Sequence, residues 1–224
     1  MSDPSCGQPL GIFGGTFDPI HFGHLRLAEE ATEALDLAGI RWIPAGRPAL
    51  RRPPMASARD RLAMVGLATS DNLRFEVDSC EVDSEAPSHS VSTLQRLRRD
   101  DHCGLLRPLV LLVGADAFAG LPGWYRWETL FELAHVAVAH RPGFPLEPER
   151  LPPLLAECLR DRLCAQPELL AGSPSGRIVL FAMTPLAISA TRIRNLLAGH
   201  RSVRYLLPES VIAHIRRENL YLEC

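Results

Sequence analysis

The chain has 224 residues, 46% of them hydrophobic, and a formal net charge of −2, which together predict one soluble domain with a substantial core. Arginine and acidic residues are interspersed, which argues against a nucleic-acid partner. The sequence has no apolar stretch of roughly 20 residues and no signal-peptide pattern. We therefore expect a cytoplasmic protein without a membrane partner. All 24 basic residues are arginine, so lysine chemistry is excluded and phosphate recognition must come from arginine, histidine, hydroxyls and backbone.

The first predicted elements are a short apolar strand at residues 10–13, an amphipathic helix over 22–37 and a second strand at 40–43. Between the first strand and the helix lies G-G-T-F-D-P-I-H-F-G-H, residues 14–24. Glycines let the backbone approach an anion, a helix N-terminus supplies N–H donors, and histidine adds a side-chain donor. His21 and His24 can share one helix face. An isolated histidine pair would more often be structural, but the whole segment predicts a nucleotide-phosphate site.

Further along, a proline-rich loop covers residues 44–54, and Ser57 is the predicted N-cap of a helix that ends near residue 68. Residues 73–82 alternate like a strand, and 90–98 are helical in pattern. Residues 109–113 are uniformly apolar, as expected for a parallel strand covered on both faces, and residues 136–139 and 178–181 are similar. A surface connection over 141–153 precedes a helix at 154–164, and residues 171–176 form another loop.

This alternation of strands and helices predicts an α/β fold with a doubly wound, Rossmann-like parallel sheet. We expect a single domain over residues 1–224, with a core over about residues 9–200 and a C-terminal helical segment over about 201–224. The six cysteines, at positions 6, 80, 103, 158, 164 and 224, show no C-x-x-C spacing. We therefore predict free thiols and no metal ligands contributed by the protein.

A second motif lies at residues 188–194, with the sequence I-S-A-T-R-I-R. Ser189 is placed to cap a helix, and the side chains of Thr191 and Arg194 would lie near its first turn. Hydroxyls, arginine and helix-start amides are typical of a triphosphate site. A capped surface helix is the structural alternative, and the first motif favours the functional interpretation.

Together the two motifs resemble those of nucleotidyltransferases, and further segments extend the resemblance to the bacterial nicotinate-nucleotide adenylyltransferases over nearly the whole chain. The matching segments are W-I-P-A-G (42–46), P-S-H-S-V-S-T-L (87–94), G-A-D (114–116), L-P-G-W-Y-R-W-E (121–128), R-P-G (141–143) and S-V-R-Y-L-L-P (202–208). The resemblance implies transfer of AMP from ATP to nicotinate mononucleotide, which yields deamido-NAD and pyrophosphate in NAD biosynthesis. It also implies Mg²⁺ carried with ATP, small-molecule substrates only, and an assembly that could be a homo-oligomer.

The resemblance also assigns roles to individual residues. The catalytic residues would be His21, His24 and Arg194. The ATP-binding residues would be Gly14, Gly15, Thr16, Phe17, His24, Gly114, Asp116, Ile188, Ser189, Thr191 and Arg194. The residues that bind the nicotinate nucleotide would be Arg51, Ser90, Trp124, Tyr125 and Arg141. Structural alternatives exist, since Trp124 could be a core residue and Asp116 could cap a helix.

Two segments differ from the family pattern. Relatives usually have Pro-His-Lys in the loop after Gly46, whereas this chain has A-L-R-R at 49–52, so either Arg51 or Arg52 takes the place of the lysine. The expected Tyr-Thr pair is His89-Ser90.

Three other functions compete with this interpretation. A pantetheine-phosphate adenylyltransferase or a cytidylyltransferase would not need the aromatic run at residues 124–127. A catalytically silent regulator would be expected to carry damaged phosphate motifs, and both motifs are intact. A class I aminoacyl-tRNA synthetase would be longer and would carry a basic surface for tRNA.

Overall fold

A computed structural model describes residues 7–49, 53–100, 106–140 and 146–222. Across these ranges the strands are Leu10–Gly15 (β1), Gly39–Pro44 (β2), Phe75–Val77 (β3), Leu109–Gly114 (β4), His135–His140 (β5) and Ile178–Ala182 (β6). The α-helices are Phe22–Ala34 (α1), Ala58–Thr69 (α2), Ser90–Asp100 (α3), Ala115–Ala119 (α4), Leu130–Leu133 (α5), Pro153–Arg162 (α6), Ala190–Ala198 (α7) and Glu209–Arg217 (α8).

The strands form one parallel sheet in the order β3-β2-β1-β4-β5-β6. From β1 the chain winds outward through β2 to β3, then returns to the middle and winds the other way through β4, β5 and β6. This confirms the predicted doubly wound α/β fold, in which the direction of winding reverses between β1 and β4.

Alternating side chains of the strands enter two separate cores, one on each face of the sheet. Phe13 of β1 packs in the core formed with α1, α2, α7 and α8, whereas Leu10 and Ile12 pack in the core formed with α3, α4, α5 and α6. In β4, Val110 and Leu111 divide between the two cores in the same way. The sheet is therefore covered by helices on both faces, which explains the uniformly apolar sequence of its central strands.

Two strand predictions were wrong in detail. Of residues 73–82, only Phe75–Val77 is a strand, because the Asp78 carboxylate accepts a hydrogen bond from the Cys80 amide (2.9 Å) and turns the chain. Residues 178–181 are covered on both faces as expected, since Val179 and Phe181 lie in one core and Ile178 and Leu180 pack in the other, but β6 is an edge strand and not a central one.

Most predicted helices are present, with shifted ends. Helix α1 stops at Ala34, three residues earlier than predicted, because Asp36 adopts a left-handed conformation (φ 46°). The apolar pattern continues to Leu37 since that side chain is buried in the core without being helical. Helix α6 begins one residue and ends two residues before the predicted range, with proline in its first turn. The predicted C-terminal helical segment contains α8.

Ser57 caps α2 as predicted, because its hydroxyl accepts a hydrogen bond from the Asp60 amide (3.1 Å). Cys80, Cys158 and Cys164 are free thiols as predicted, and the other three cysteines lie outside the described residues. None of the helices in the described ranges is both long and apolar enough to cross a membrane.

Candidate active site

A crevice opens where the winding of the sheet reverses. Strands β1 and β4 pair only as far as Ile12 with Leu111. Beyond that pair, each strand continues to its own glycine end while pairing with its outer neighbour, β1 with β2 up to Gly15 and β4 with β5 up to Gly114. In doubly wound sheets ligands bind at this point, beyond the carboxyl ends of the strands. Both Gly15 and Gly114 therefore stand at the edge of the candidate site.

The loop that follows β1 needs glycine for close packing. A Cβ atom on Gly15 would lie 2.8 Å from the ring of Phe17, so a larger residue would displace that ring. Phe17 is buried and adopts a left-handed conformation (φ 49°), which reverses the chain toward α1. The next residue, Asp18, is also buried. The phosphate loop, which we define as residues 14–21, thus has an apolar floor beneath an accessible glycine backbone.

His21 and His24 are brought together at the start of α1. Their rings stack with centroids 3.7 Å apart, and the edge of Phe17 meets the His24 ring at 5.2 Å. The backbone N–H of His21 donates to Nδ1 of His24 (3.2 Å). Because Nδ1 is an acceptor, the proton of the neutral His24 imidazole is assigned to Nε2. The bond at Nδ1 and the two ring contacts therefore fix the orientation of the His24 ring.

His21 is the more buried of the two histidines, with 6% of its surface exposed. Burial lowers the pKa of His21 from 6.5 to about 4, because desolvation disfavours the imidazolium ion. His21 is therefore neutral at physiological pH. A neutral ring can stack against His24 without adding a positive charge beside it.

The lowered pKa of His21 predicts a pH-dependent loss of stability. Between pH 6.5 and 4 the unfolded chain takes up the proton and the folded chain does not, so this contribution to stability is complete above pH 6.5 and falls as the pH drops. Between pH 7.5 and 4.5 the unfolding free energy of the parent protein should fall by about 2 to 3 kcal/mol more than that of His21→Gln. Urea unfolding of both proteins at both pH values checks this, and equal losses would contradict it.

The second motif begins α7 as predicted. The Ser189 hydroxyl caps the helix by accepting a hydrogen bond from the Arg192 amide (3.2 Å). Thr191 is exposed in the first turn, and its hydroxyl accepts a hydrogen bond from Nη2 of Arg194 (3.3 Å). Ile188, just before the cap, packs against the core.

Arg194 joins the two motifs. Its Nη1 donates to the backbone carbonyl of Asp18 (2.6 Å) and lies 3.9 Å from the Asp18 carboxylate. A Cβ atom on Gly23 would lie 3.8 Å from the Ile188 carbonyl, so α1 and the segment before α7 approach closely at a second point. The fold therefore places the start of α7 against the phosphate loop, although 176 residues separate Arg194 from Asp18.

Comparisons with known proteins identify the family of this chain. The family model described as cytidylyltransferase-like matches residues 12–196. A probable nicotinate-nucleotide adenylyltransferase of Dechloromonas aromatica is 59% identical over 96% of this chain and 98% of its own length. Its counterpart in Pseudomonas putida is 44% identical over 99% and 98% of the two chains. The chain belongs to the nicotinate-nucleotide adenylyltransferase family.

Solved structures of members of this family have the same fold. The Plasmodium falciparum nicotinic acid mononucleotide adenylyltransferase complexed with NaAD superimposes with a TM-score of 0.70. The two chains are 14% identical, and the match covers 97% of this chain and 98% of that one. The superposition shows that the two proteins share a fold. At 14% identity it does not assign roles to single residues of this chain.

The acceptor-side residues predicted from the nicotinate-nucleotide adenylyltransferase resemblance are partly described. Ser90 is the first residue of α3, and Tyr125 is exposed, with its ring stacked on His89 at 4.7 Å. Trp124 is half-buried and packs against the second core, so it has a structural role whatever else it contacts. Asp116 is exposed in the first turn of α4, whose N-cap is Gly114 and not Asp116. Arg51, Arg52 and Arg141 lie outside the described residues.

The structure adds two residues that the sequence analysis did not assign to the site. The Asp18 carboxylate accepts hydrogen bonds from the amides of Met55 (2.9 Å) and Ala56 (3.1 Å), and thereby ties the phosphate loop to the segment before α2. Arg61 of α2 is buried with 1% exposed, and donates to the carbonyls of Thr16 (2.7 Å), Gly46 (3.1 Å) and Ala56 (3.3 Å). Asp18 stood in the recognised motif, but no local signal marked Arg61.

Proposed function

We propose that this member of the family transfers the adenylyl group of ATP to nicotinate mononucleotide, which yields deamido-NAD and pyrophosphate. The observation that carries the proposal is the contact of Arg194 with Asp18, because it joins the two phosphate motifs at the point where the sheet reverses its winding. The curated relatives that span nearly the whole chain support the choice of acceptor.

In the proposed reaction, a phosphate oxygen of nicotinate mononucleotide attacks the α-phosphorus of ATP. A new P–O bond forms there, the bond between the α-phosphorus and the bridging oxygen breaks, and pyrophosphate leaves with the bonding electrons. The attacking phosphate is already ionised, so no general base and no covalent enzyme intermediate is needed. Catalysis then depends on positioning the two substrates and stabilising the developing negative charge.

His24 and Arg194 are the proposed groups that stabilise this charge. The Nε2–H of His24 is directed by the bond at its Nδ1, and Arg194 is held by Asp18 and Thr191. His21 remains a predicted catalytic residue, and its burial and stacking support an effect through His24. Guanidinium and imidazole N–H groups both donate hydrogen bonds to phosphate oxygens.

The other predicted ATP contacts remain proposals that the geometry supports. They would come from the β1 end and its loop, from the β4 end, and from the start of α7. These residues are Gly14, Gly15, Thr16, Phe17, Gly114, Asp116, Ile188, Ser189 and Thr191. Among the described residues no group of three or more histidine, cysteine or acidic side chains could hold a metal ion. We propose that Mg²⁺ enters bound to the triphosphate, as part of the substrate.

On the acceptor side we propose that Trp124 stacks on the nicotinate ring, with the Tyr125 backbone and Ser90 near its carboxylate. The Tyr125 ring stacks on the His89 ring, so His89 belongs to the aromatic surface beside Trp124. Arg51 and Arg141 remain the proposed partners of the acceptor phosphate.

Pyrophosphate release tests the proposed reaction. The protein is incubated with ATP and Mg²⁺ and with nicotinate mononucleotide, nicotinamide mononucleotide or phosphopantetheine in separate reactions. We expect kcat/KM to be highest with nicotinate mononucleotide. Preference for either other acceptor would move the assignment to another transferase of this fold, and ATP binding without release in all three reactions would indicate a regulator.

A further inference from the structure

The C-terminal end of the described chain returns to the phosphate loop. Tyr221 lies beyond α8, yet only 5% of it is exposed, and its hydroxyl donates to Oδ1 of Asp18 (2.7 Å). Asn219 and Tyr221 both adopt left-handed conformations, with φ of 52° and 63°. A bulky residue in that region is unfavourable, so surrounding contacts must hold it there. For Tyr221 those contacts are the buried ring and the hydrogen bond to Asp18.

Helix α8 fixes where this segment starts. It packs against α2 through apolar residues, and the Ser210 hydroxyl donates to the Leu67 carbonyl (3.1 Å). His214 lies 3.2 Å from the Asp60 carboxylate. After the helix, the Leu220 amide donates to the Ile215 carbonyl (3.0 Å), which closes the helix end and turns the chain back. These contacts place the Tyr221 ring beneath the phosphate loop.

The Asp18 carboxylate is the junction of three segments. Its Oδ2 accepts from the Met55 amide, while its Oδ1 accepts from the Ala56 amide and the Tyr221 hydroxyl. Met55 and Ala56 follow residues 50–52, which include the proposed partner of the acceptor phosphate. The carboxylate therefore sets the distance between the ATP side of the site and the segment that leads from its acceptor side.

The hydroxyl of Tyr221 is a dependable donor in this position. Burial raises its pKa above the ordinary value of 10, and the negative charge of Asp18 raises it further. Tyr221 thus stays protonated at neutral pH, and its hydroxyl donates to the same carboxylate that accepts from the two amides. Without the hydroxyl, Oδ1 would keep one partner and the carboxylate could rotate.

We propose that Tyr221 is a positioning residue, which acts through Asp18 to hold residues 53–56 in the place that acceptor binding requires. The C-terminal segment is then part of the working site and not only a cover for the core. This inference rests on the proposed function for the identity of the acceptor. Its structural content, the hold on the Met55 and Ala56 amides, does not depend on any substrate.

The variant Tyr221→Phe removes the donor and keeps the buried ring. We expect its KM for nicotinate mononucleotide to rise about tenfold, the effect of losing one hydrogen bond to a charged group. The KM for ATP and kcat should change by less than about twofold, because the contacts of His24 and Arg194 remain. Tyr205→Phe is the matched control, since Tyr205 is 87% exposed, and its constants should equal those of the parent protein. Equal rises in both KM values, or no rise, would overturn the proposal.

A double-mutant cycle tests whether Tyr221 acts through Asp18. We expect Asp18→Asn alone to raise the KM for nicotinate mononucleotide, and the addition of Tyr221→Phe to raise it no further. Independent, multiplying effects would mean that Tyr221 acts by another route. If Tyr221→Phe folds poorly, Asp18→Asn alone still tests the proposal, because a KM for nicotinate mononucleotide that stays at the parent value would overturn it.

Hydrogen exchange separates this inference from the proposed reaction. In the protein without substrates, the Met55 and Ala56 amides should exchange about fivefold faster or more in Tyr221→Phe than in the parent protein or Tyr205→Phe. If the parent protein did not use nicotinate mononucleotide, the proposed reaction would be wrong. The exchange rates of the two amides would still test the role of Tyr221. Unchanged exchange at both amides would overturn that role.

Discussion

Replacing His24 with alanine is expected to lower kcat for adenylyl transfer by about a hundredfold or more, as the loss of one transition-state donor does in other enzymes. The structure gives the reason for so large an effect. The bond from the His21 amide holds Nδ1, and the rings of His21 and Phe17 restrain the imidazole, so that Nε2–H is aimed before substrate arrives. A donor that needs no reorganisation stabilises developing charge more than mobile water does. Steady-state kinetics with ATP and nicotinate mononucleotide measures the change.

The control for His24 is His200, an exposed histidine just beyond α7. Because His200 has a left-handed conformation (φ 51°), asparagine is the substitution that its backbone tolerates. His200→Asn should retain the parent kcat. The KM for ATP in His24→Ala should rise less than kcat falls, since the lost interaction is strongest in the transition state. A kcat for His24→Ala within tenfold of the parent value would remove His24 from its proposed role.

The two phosphate motifs could be predicted from sequence because their structure depends on neighbouring residues. The contact between His21 and His24 spans one helical turn, and the Ser189 cap reaches only to Arg192. Glycine positions in the loop after β1 also follow from local packing, since Gly15 must leave room for Phe17 two residues later. Motifs of this kind carry their own geometry wherever the fold places them.

The contacts that join these motifs had no such local signal. Arg194 bonds Asp18 across 176 residues, and Tyr221 does so across 203. The absence of lysine predicts that arginine binds phosphate, and the structure shows a second use of arginine. Arg61 and Arg98 are buried, and each donates to several backbone carbonyls through its planar guanidinium group. Such a residue cannot be told from a surface arginine by its position in a helical pattern.

The ends of two predicted elements were wrong because the hydrophobic pattern continues past the point where the strand or helix stops. Residues 73–82 alternate, yet the Asp78 carboxylate ends β3 by bonding the Cys80 amide. Leu37 continues the apolar period of α1 although it is buried beyond the end of the helix. A local side-chain hydrogen bond therefore ends the strand in the first segment, and burial in the core extends the apolar period beyond the helix in the second.

Replacing Arg61 with methionine is expected to lower the unfolding free energy by about 3 to 5 kcal/mol, the range for breaking one side of a buried charged network. The variant would leave the carbonyls of Thr16 and Gly46 without their guanidinium donor, and the buried Asp18 carboxylate with less positive charge nearby. Burial lowers the pKa of Arg61, and the charge of Asp18 opposes that shift and so favours the charged guanidinium.

Arg59→Met is the matched control for Arg61, because Arg59 is exposed on the same helix and methionine is a good helix former. It should change stability by less than about 0.5 kcal/mol, as surface substitutions do. Urea unfolding with equal m values for the three proteins makes the comparison valid. A difference below about 1 kcal/mol between the two variants would show that the network around Asp18 is not a main source of stability. The expected larger loss would mean that the phosphate loop is held in place by the same buried contacts that stabilise the fold.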